Sequence, residues 1–256
     1  MATRPSSFSN LVPILLLPPS EGKALDSEQS SHRKGGRTND GWDPGDGAFG
    51  SLAPQRLAIV EALGAAGGGS ERLLGVKGAH LMRAQSANST LPGAPTLPAW
   101  QRYTGVVWDH LDPATLSAVA RRRIVVVSGL LGLVRGDDPV PDYRLKMSAN
   151  LPPMGKLSTW WRDDLTEALC KASRRKIIID LLPQEHSGAW MPGNLPRSAQ
   201  GVKVSLIDRS GRPGGHFAKA AKGELARAIL TDGLGTLDSW SHEPFDIEVT
   251  PLNPNA

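Results

Sequence analysis

The segment of residues 124–147, IVVVSGLLGLVRGDDPVPDYRLKM, constrains the fold of this chain more than any other stretch. It begins with a run of β-branched residues, Val125, Val126 and Val127, which is typical of a strand that is covered on both faces. Ser128 and Gly129 interrupt the run, so the strand is expected to end there. In open α/β sheets, ligands bind beyond the carboxyl ends of strands, and the residues that follow are therefore candidates for a site.

Two arginines and a tyrosine follow this strand, namely Arg135, Tyr143 and Arg144. The planar guanidinium group of arginine can bind two oxygens of a phosphate or a carboxylate at once. Asp137 and Asp138 lie in the same loop and offer the arginines an internal partner instead. The segment taken alone leaves two interpretations open, an anion-binding site and a structural cluster of salt bridges.

Short apolar runs alternate with helical patterns along the rest of the chain. Strands are predicted at residues 14–17, 177–181, 202–207 and 245–249, and helices at residues 54–64, 71–74, 79–87, 113–122, 160–172 and 217–230. The alternation predicts an α/β or α+β fold with a mixed β-sheet flanked by helices. Residues 1–256 are interpreted as a single domain with a disordered N-terminus at residues 1–10. A mobile loop is predicted at residues 24–50, because this stretch is rich in polar residues and glycine and shows no periodicity.

The composition limits the classes of function. The formal net charge is +4 and the isoelectric point about 9.4, which permits binding to nucleic acid or phosphorylated ligands without requiring it. Cys170 is the only cysteine, which excludes an intrachain disulfide and a cysteine-based metal site. No metal-ligand spacing appears, and no metal or cofactor is expected. The apolar run at residues 11–17 is shorter than the roughly 20 residues of a membrane span, so we expect a cytoplasmic protein without membrane contact.

A tight polar turn, Ser20-Glu21-Gly22-Lys23, follows the first predicted strand. Backbone N–H groups in such a turn can face an anion, and Lys23 can neutralise it. Glu21 is a candidate acid or base with Lys23 as its electrostatic partner, and Tyr143 is a candidate proton donor. The spacing of a phosphate-binding P-loop is absent, and an ordinary turn is the alternative interpretation.

Three further segments were considered as sites. Lys219 and Lys222 lie near the start of a predicted helix, where the dipole favours anions, and a solvated basic face is the alternative. Residues 74–78, LGVKG, are similar to the hairpin of helix-hairpin-helix modules, whose N–H groups bind DNA phosphates. Because Lys77 interrupts the usual glycine–apolar–glycine pattern, a plain helix–turn–helix connection is the alternative. His186 and Ser187 are adjacent in one loop and do not define a catalytic triad.

Taken together, these segments resemble the YaaA-like peroxide-stress protein family. In chain order they are a strand followed by PSEGK at residues 19–23, YTG at 103–105, SGLLGLVR to YRLKM at 128–147, a helix with two tryptophans, a strand at 177, and HFAKAAKG at 216–223. The resemblance covers the chain from about residue 14 to residue 230. Its most specific parts are residues 128–147 and 217–223.

The resemblance implies a single cytoplasmic α/β domain with a basic cleft that binds DNA, in part through a helix-hairpin-helix-like element. It also implies protection of DNA and restraint of free iron during hydrogen peroxide stress. The family's motif residues fall here on Ser20, Glu21, Lys23, Tyr103, Gly105, Arg135, Tyr143, Arg144, Lys219, Lys222 and Gly223. The chain departs from the family pattern in an apparent insertion at residues 35–50, at His186 in place of a usual tyrosine, and at Pro183 in place of a typical serine.

These observations predict two alternative functions. The first is non-specific DNA binding that limits oxidative damage, in which the phosphates would contact a set of anion-binding residues: Ser20, Lys23, Tyr103, Arg135, Arg144, Lys219 and Lys222. The second is an enzyme for a small anionic metabolite, with Glu21, Lys23 and Tyr143 as acid–base groups and the arginines as anion clamps. An enzyme gathers such side chains in one pocket, whereas a DNA-binding surface spreads them along an open groove. A third interpretation is that the charges form only internal salt bridges.

Overall fold

The computed structural model describes residues 11–25, 41–196, 199–209 and 215–252. Its strands are β1 (Val12–Leu17), β2 (Thr96–Pro98), β3 (Ile124–Ser128), β4 (Gly132–Arg135), β5 (Pro139–Pro141), β6 (Asn150–Leu151), β7 (Gly155–Lys156), β8 (Lys176–Asp180), β9 (Gln200–Asp208) and β10 (Phe245–Pro251). Its α-helices are α1 (Ala53–Ala65), α2 (Glu71–Leu74), α3 (Gly78–Ser89), α4 (Ala99–Arg102), α5 (Val106–Leu111), α6 (Ala118–Arg121), α7 (Leu157–Trp160), α8 (Arg162–Ala172), α9 (Gln184–Ser187), α10 (Gly215–Asp232) and α11 (Thr236–Ser239).

A six-stranded mixed sheet organises these elements, in the order β10-β9-β8-β1-β3-β4. The four central strands, β9, β8, β1 and β3, are parallel, and an antiparallel strand lies at each edge. Apart from their first residues, β1 and β8 are buried along their whole length, and β3 is buried throughout. Continuous apolar runs of this kind suit strands that are covered on both faces. The predicted mixed sheet flanked by helices is therefore confirmed.

The parallel strands place three chain segments at one edge of the sheet. Leu17, Ser128 and Asp180 end β1, β3 and β8 at this carboxyl edge. The chain passes from β1 to β3 on one side of β1 and later returns to β8 on its other side. The strand order thus reverses next to β1, and in open α/β sheets such a reversal opens a crevice for ligands at the carboxyl ends.

The helix predicted at residues 113–122 is interrupted. A short 3-10 helix, Pro113–Thr115, is followed by α6 (Ala118–Arg121). Between them Ser117 is extended, and its side-chain oxygen accepts a hydrogen bond from the N–H of Ala120 at 3.1 Å. A serine in this position is an N-cap, so it starts a new helix rather than continuing the previous one.

The N-terminal part of the chain lies partly outside the described residues. The structure does not describe residues 1–10, which are predicted to be disordered, or residues 26–40 of the predicted mobile loop. The later part of that loop, residues 41–50, is described, and its Trp42 and Phe49 are buried in the main core. This end of the loop is therefore packed against the fold.

Arg56 in α1 connects residues 41–50 of the loop to the sheet through hydrogen bonds. Its side chain is 1 % exposed, and its N–H groups donate to four backbone carbonyl oxygens at 2.8 to 2.9 Å. These carbonyls belong to Pro44 and Asp46 in the loop and to Leu131 and Leu133 in the β3–β4 hairpin. A buried guanidinium group thus holds two backbone segments together.

The two helices predicted around residues 74–78 are α2 and α3. Gly75 and Gly78 both have left-handed backbone conformations, with φ of 65° and 54°, which turn the chain between the helices. The helix–turn–helix connection is confirmed by this geometry. Its likeness to a DNA-binding hairpin stays a prediction.

Within the described residues, no helix is long and apolar enough to cross a membrane. In the same part of the chain, no three His, Cys, Asp or Glu side chains come together as metal ligands.

Candidate functional site

Residues 142–147 cross the carboxyl end of β3 as an extended segment with alternating burial. The side chains inside the core are Tyr143, Leu145 and Met147, and those that are partly exposed are Asp142, Arg144 and Lys146. Successive side chains of an extended segment point to opposite sides. One side of the segment therefore packs on the core, while the other carries three charged groups to the edge of the sheet.

Gly129 permits this segment to pass close to the end of β3. A Cβ atom at position 129 would lie 2.8 Å from the backbone carbonyl of Lys146, nearer than real Cβ contacts allow. The carbonyl of Gly129 also accepts a hydrogen bond from the indole N–H of Trp161 at 2.9 Å. The Ser128-Gly129 pair that ends the strand thus determines where the following arginine and lysine lie.

Glu21 accepts hydrogen bonds from two of these cations. Its Oε2 lies 2.8 Å from Nη2 of Arg144, and its Oε1 lies 2.9 Å from Nζ of Lys146. The hydrogen bond from Lys146 is the largest cause that holds the pKa of Glu21 below its ordinary value, and Arg144 adds to it. A carboxylate bound in this way is a weak base, and it occupies cations that would otherwise face an anionic ligand.

The backbone of Arg144 is held by Asn88 of α3, which is 1 % exposed. The N–H of Arg144 donates to Oδ1 of Asn88 at 2.9 Å, and Nδ2 of Asn88 donates to the carbonyl of Arg144 at 2.9 Å and to that of Gly68 at 2.8 Å. The Arg144 side chain also donates through Nε to the carbonyl of Leu74 at 3.0 Å. Arg144 is therefore fixed from both its main chain and its side chain.

Lys23 lies against the ring of Tyr143. Its Nζ is 4.1 Å from the ring centroid and 3.1 Å from the carbonyl oxygen of Ser20, to which it donates. Burial lowers the pKa of Lys23 to about 7, and the attraction of Asp142 is the largest effect that opposes this shift. An amine whose pKa is lowered in this way can take up or release a proton near neutral pH.

The hydroxyl of Tyr143 belongs to a buried chain of hydrogen bonds. It lies 2.7 Å from Oγ of Ser128 and 2.9 Å from the hydroxyl of Tyr103. Oγ of Ser128 already accepts hydrogen bonds from the N–H groups of Leu130 and Leu131 at 3.2 and 3.1 Å. We therefore assign the Ser128 hydroxyl as the donor and the Tyr143 oxygen as the acceptor. Because the Tyr143 oxygen accepts from Ser128, its own O–H donates to the hydroxyl oxygen of Tyr103.

Burial raises the pKa of Tyr143 to about 12 and that of Tyr103 well above its ordinary value. The Tyr143 hydroxyl is enclosed by Ser128 and Tyr103, while the face of its ring meets Lys23. This geometry favours a supporting role for Tyr143 over the predicted role of proton donor.

Lys23, Tyr143 and Arg144 line a cleft of about 410 Å³, here called the outer lobe. Its charged lining residues are Glu21, Lys23, Arg83, Asp142 and Arg144, and His80 lies with them. Arg83 and Asp142 form an ion pair across it, with 2.9 Å between Nη2 and Oδ2.

A smaller cavity of about 50 Å³, here called the inner lobe, shares four lining residues with the outer lobe: Glu21, Lys23, Tyr143 and Arg144. Its further lining includes Ser20 after β1 and both Glu185 and His186 after β8. The two lobes therefore meet at Lys23 and Arg144.

The remaining predicted residues of the first turn shape the site. The hydroxyl of Ser20 donates to the carbonyl of Gly22, and its oxygen accepts from the N–H of Thr104 at 2.9 Å. Lys23 pairs with Tyr103 in an isolated β-bridge. The turn at residues 20–23 is thereby joined to residues 103–105, the YTG segment.

Three predicted residues lie apart from the two lobes. Arg135 is opposite Val125, towards the other end of β3 from Ser128. Lys219 is exposed on α10. Lys222 donates from Nζ to the carbonyl of Leu181 at 2.8 Å, just after β8, and burial lowers its pKa to about 8.

The sequence analysis did not identify His80, Arg83, Asp142 and Lys146 as site residues. Asp142 and Lys146 could have been found from the alternation in DYRLKM, because residues two apart in an extended segment share a side. His80 and Arg83 lie three residues apart on one face of α3. That this face turns towards the cleft depends on packing, which the sequence pattern does not specify.

Comparison with known proteins gives matches over most of the chain. The sequence profile of a family described as peroxide stress protein YaaA matches residues 14–245. A UPF0246 protein of Streptomyces coelicolor is 34 % identical over 228 residues, which cover 86 % of this chain and 84 % of the relative. A UPF0246 protein of Corynebacterium efficiens is 35 % identical over 227 residues, 85 % of each chain, and one of Corynebacterium glutamicum is 35 % identical over 181 residues, 68 % of each.

Proposed function

The chain belongs to the peroxide stress protein YaaA family, and we propose that it binds a small anionic metabolite in the outer lobe and carries out acid–base chemistry on it. The observation that carries this proposal is the position of Lys23. Its amine is partly buried between the two lobes, and within the described residues no carboxylate forms an ion pair with it. An amine with a pKa of about 7 is suited to proton transfer near neutral pH.

The roles of the neighbouring groups follow from their hydrogen bonds. Lys23 is the acid–base group in this proposal, in place of Glu21. Glu21 holds Arg144 and Lys146 when no ligand is bound. The ligand's phosphate or carboxylate takes over Arg144, which lines the outer lobe, because its anionic oxygens can replace those of the Glu21 carboxylate.

Binding of inorganic phosphate tests this proposal. Calorimetric titration of the wild type, Lys23→Met, Arg144→Gln and the control Lys219→Met separates the cleft from an exposed lysine on α10. We expect each cleft substitution to weaken phosphate binding about tenfold, since one charge-assisted hydrogen bond contributes roughly 1.5–3 kcal/mol. Failure of the wild type to bind phosphate, or equal binding by all four proteins, would contradict the proposal.

Non-specific DNA binding is the second candidate. It is favoured by the α2–α3 connection, where two left-handed glycines turn the chain ahead of the twelve-residue helix α3. Lys77 lies in this turn with an 82 % exposed side chain. This candidate comes from the resemblance to the family, and the proposed cytoplasmic location comes from that resemblance and from the short apolar run at residues 11–17.

A salt series distinguishes the two candidates. Fluorescence anisotropy with a DNA duplex of about 20 base pairs would show affinity that falls steeply between roughly 50 and 200 mM salt if phosphates are bound by counterion release. Loss of duplex binding in Lys77→Gln, with full binding in Lys23→Met, would assign DNA to the α2–α3 turn. Loss in Lys23→Met and Arg144→Gln instead would make the outer lobe itself the DNA contact and would refute the metabolite proposal.

A further inference from the structure

The inner lobe lies where the strand order of the sheet reverses. Ser20 and Lys23 reach it from the end of β1, and His186 reaches it from the end of β8, the neighbouring parallel strand. A crevice between the carboxyl ends of two such strands is the common place for a ligand in an open α/β sheet. The outer lobe shares Lys23 and Arg144 with it, so the two cavities are adjacent.

His186 is a buried polar side chain in the lining of this lobe. It is 4 % exposed, and neither of its ring nitrogens has a hydrogen-bond partner within the described residues. Oε1 of the Glu185 carboxylate lies 3.7 Å from Nδ1 of His186. A buried polar group without a partner costs about 1–3 kcal/mol, so it is retained where something else satisfies it or where it serves a function.

The surroundings of His186 keep its ring uncharged. Lys222 donates to the carbonyl of Leu181, and Lys203 donates to Oδ1 of Asp180 at 3.1 Å and to the carbonyl of Leu182 at 2.6 Å. Burial, followed by the charges of Lys222 and Lys203, lowers the pKa of His186 to about 4. A neutral imidazole offers one donor and one acceptor, and its natural complement is a hydroxyl group.

The size of the lobe limits what it can hold. A cavity of about 50 Å³ has room for a group of a few heavy atoms, given that one water occupies roughly 10–15 Å³ by the same measure. Both ring nitrogens are enclosed in the present ring orientation. A half-turn about the Cβ–Cγ bond exchanges each ring nitrogen with a ring carbon without movement of the backbone, and the inference requires that this turn brings one nitrogen to the lobe.

We propose that the inner lobe binds a hydroxyl-bearing carbon of the ligand through His186, while the ligand's anionic end lies in the outer lobe at Arg144. The ligand class is then a short hydroxylated phosphate or carboxylate. This inference rests on the proposed function, because it assumes that an anion is bound in the outer lobe. It adds a specificity-determining residue to that site.

Three probes of graded structure test the inference by calorimetric titration: inorganic phosphate, propyl phosphate and glycerol 3-phosphate. The wild type is expected to bind glycerol 3-phosphate about fivefold more tightly than propyl phosphate, as one or two neutral hydrogen bonds would give. His186→Leu is expected to bind the two organic phosphates equally and to leave the affinity for inorganic phosphate unchanged. His186→Asn, which keeps one donor and one acceptor, is expected to retain part of the preference.

His110→Leu is the control, since His110 is exposed and paired with Glu224 outside both lobes. It should keep the full preference. If inorganic phosphate does not bind to the wild type, the proposed function fails and this inference with it. If phosphate binds but the wild type shows no preference between the organic phosphates, or the preference persists in His186→Leu, the inference is wrong while the proposed function stands.

Discussion

The protein buries cations in two regions and uses them in different ways. Arg56 and Arg102 are 1 % and 0 % exposed, and backbone carbonyls accept their N–H groups. For Arg102 these acceptors are the carbonyls of Val140, Ala24 and Pro95, at 2.6 to 3.3 Å. Lys23 and Arg144 lie beside a cleft instead, and their partners include an exposed carboxylate, an aromatic ring face and single carbonyls.

A buried charge therefore does not by itself indicate a functional site. A guanidinium group surrounded by carbonyl acceptors is already satisfied and joins backbone segments, as Arg56 does. A cation whose partners are exchangeable, as Glu21 is for Arg144, remains available to a ligand. The following predictions test this division between structural and available cations.

Arg56→Ala should give the largest loss of stability. It removes hydrogen bonds to four buried carbonyls and leaves a cavity, so we expect the free energy of unfolding to fall by about 4 kcal/mol. Urea denaturation measures this, with Arg174→Ala, an exposed arginine after α8, as the control. A loss below about 1 kcal/mol would show that Arg56 does not join the loop to the hairpin.

Lys23→Met should change the pH dependence of stability. The folded pKa of about 7 lies below the unfolded value of about 10.5, so between these values the unfolded chain binds more protons and stability of the wild type rises with pH. The substitution removes this contribution. The free energy of unfolding of Lys23→Met minus that of the wild type should therefore fall by about 2 kcal/mol from pH 6 to pH 10. This value allows for partial exposure of the amine.

Urea denaturation at several pH values measures this difference, and Lys219→Met provides the comparison with an exposed lysine. A difference between wild type and Lys23→Met that is independent of pH would show that the amine has an ordinary environment.

Tyr143→Phe should destabilise the protein more than Tyr103→Phe. The first substitution leaves the Ser128 hydroxyl without its acceptor and Tyr103 without its donor, whereas the second leaves only one hydroxyl unpaired. We expect losses of about 1.5 and about 0.7 kcal/mol respectively, measured by thermal or urea unfolding. The reverse order would contradict the central position of the Tyr143 hydroxyl between Ser128 and Tyr103.

Glu21→Gln should have the smallest effect, and in the opposite direction. It removes the negative charge that holds Arg144 and Lys146, so the affinity for inorganic phosphate is expected to rise about threefold. Calorimetry compares it with Glu167→Gln, which alters an exposed carboxylate on α8. A fall in affinity would mean that Glu21 is needed to hold Arg144 in its binding position.

The sequence was most informative where a run of residues has one environment. The β-branched run of β3 and the apolar runs of β1 and β8 predicted the buried parallel strands. The anion-binding set predicted from the sequence included Ser20, Lys23 and Arg144, which line one cavity, and Lys219 and Lys222, which line neither lobe.

Other features depended on three-dimensional contacts that no local pattern contains. In the sequence Arg56 is a polar residue in a helical pattern. In the structure it is buried, and carbonyl oxygens of distant segments accept its hydrogen bonds. Arg135 belongs to the same motif as Arg144, but the antiparallel turn into β4 carries it towards the other end of β3. His186 was not predicted as a site residue, and only the neighbouring ends of β1 and β8 place it beside the cleft.

In the proposed function, the Lys23 amine titrates near neutral pH beside a bound anion. The most direct test is a pH titration of ¹³C-labelled lysine side chains by NMR, with Lys23 assigned from the Lys23→Arg variant, in the absence and presence of inorganic phosphate. The account predicts a midpoint of about 7 for Lys23 and a higher midpoint with phosphate, because a nearby anion stabilises the charged amine. A midpoint near the ordinary value of about 10.4, unchanged by phosphate, would contradict it.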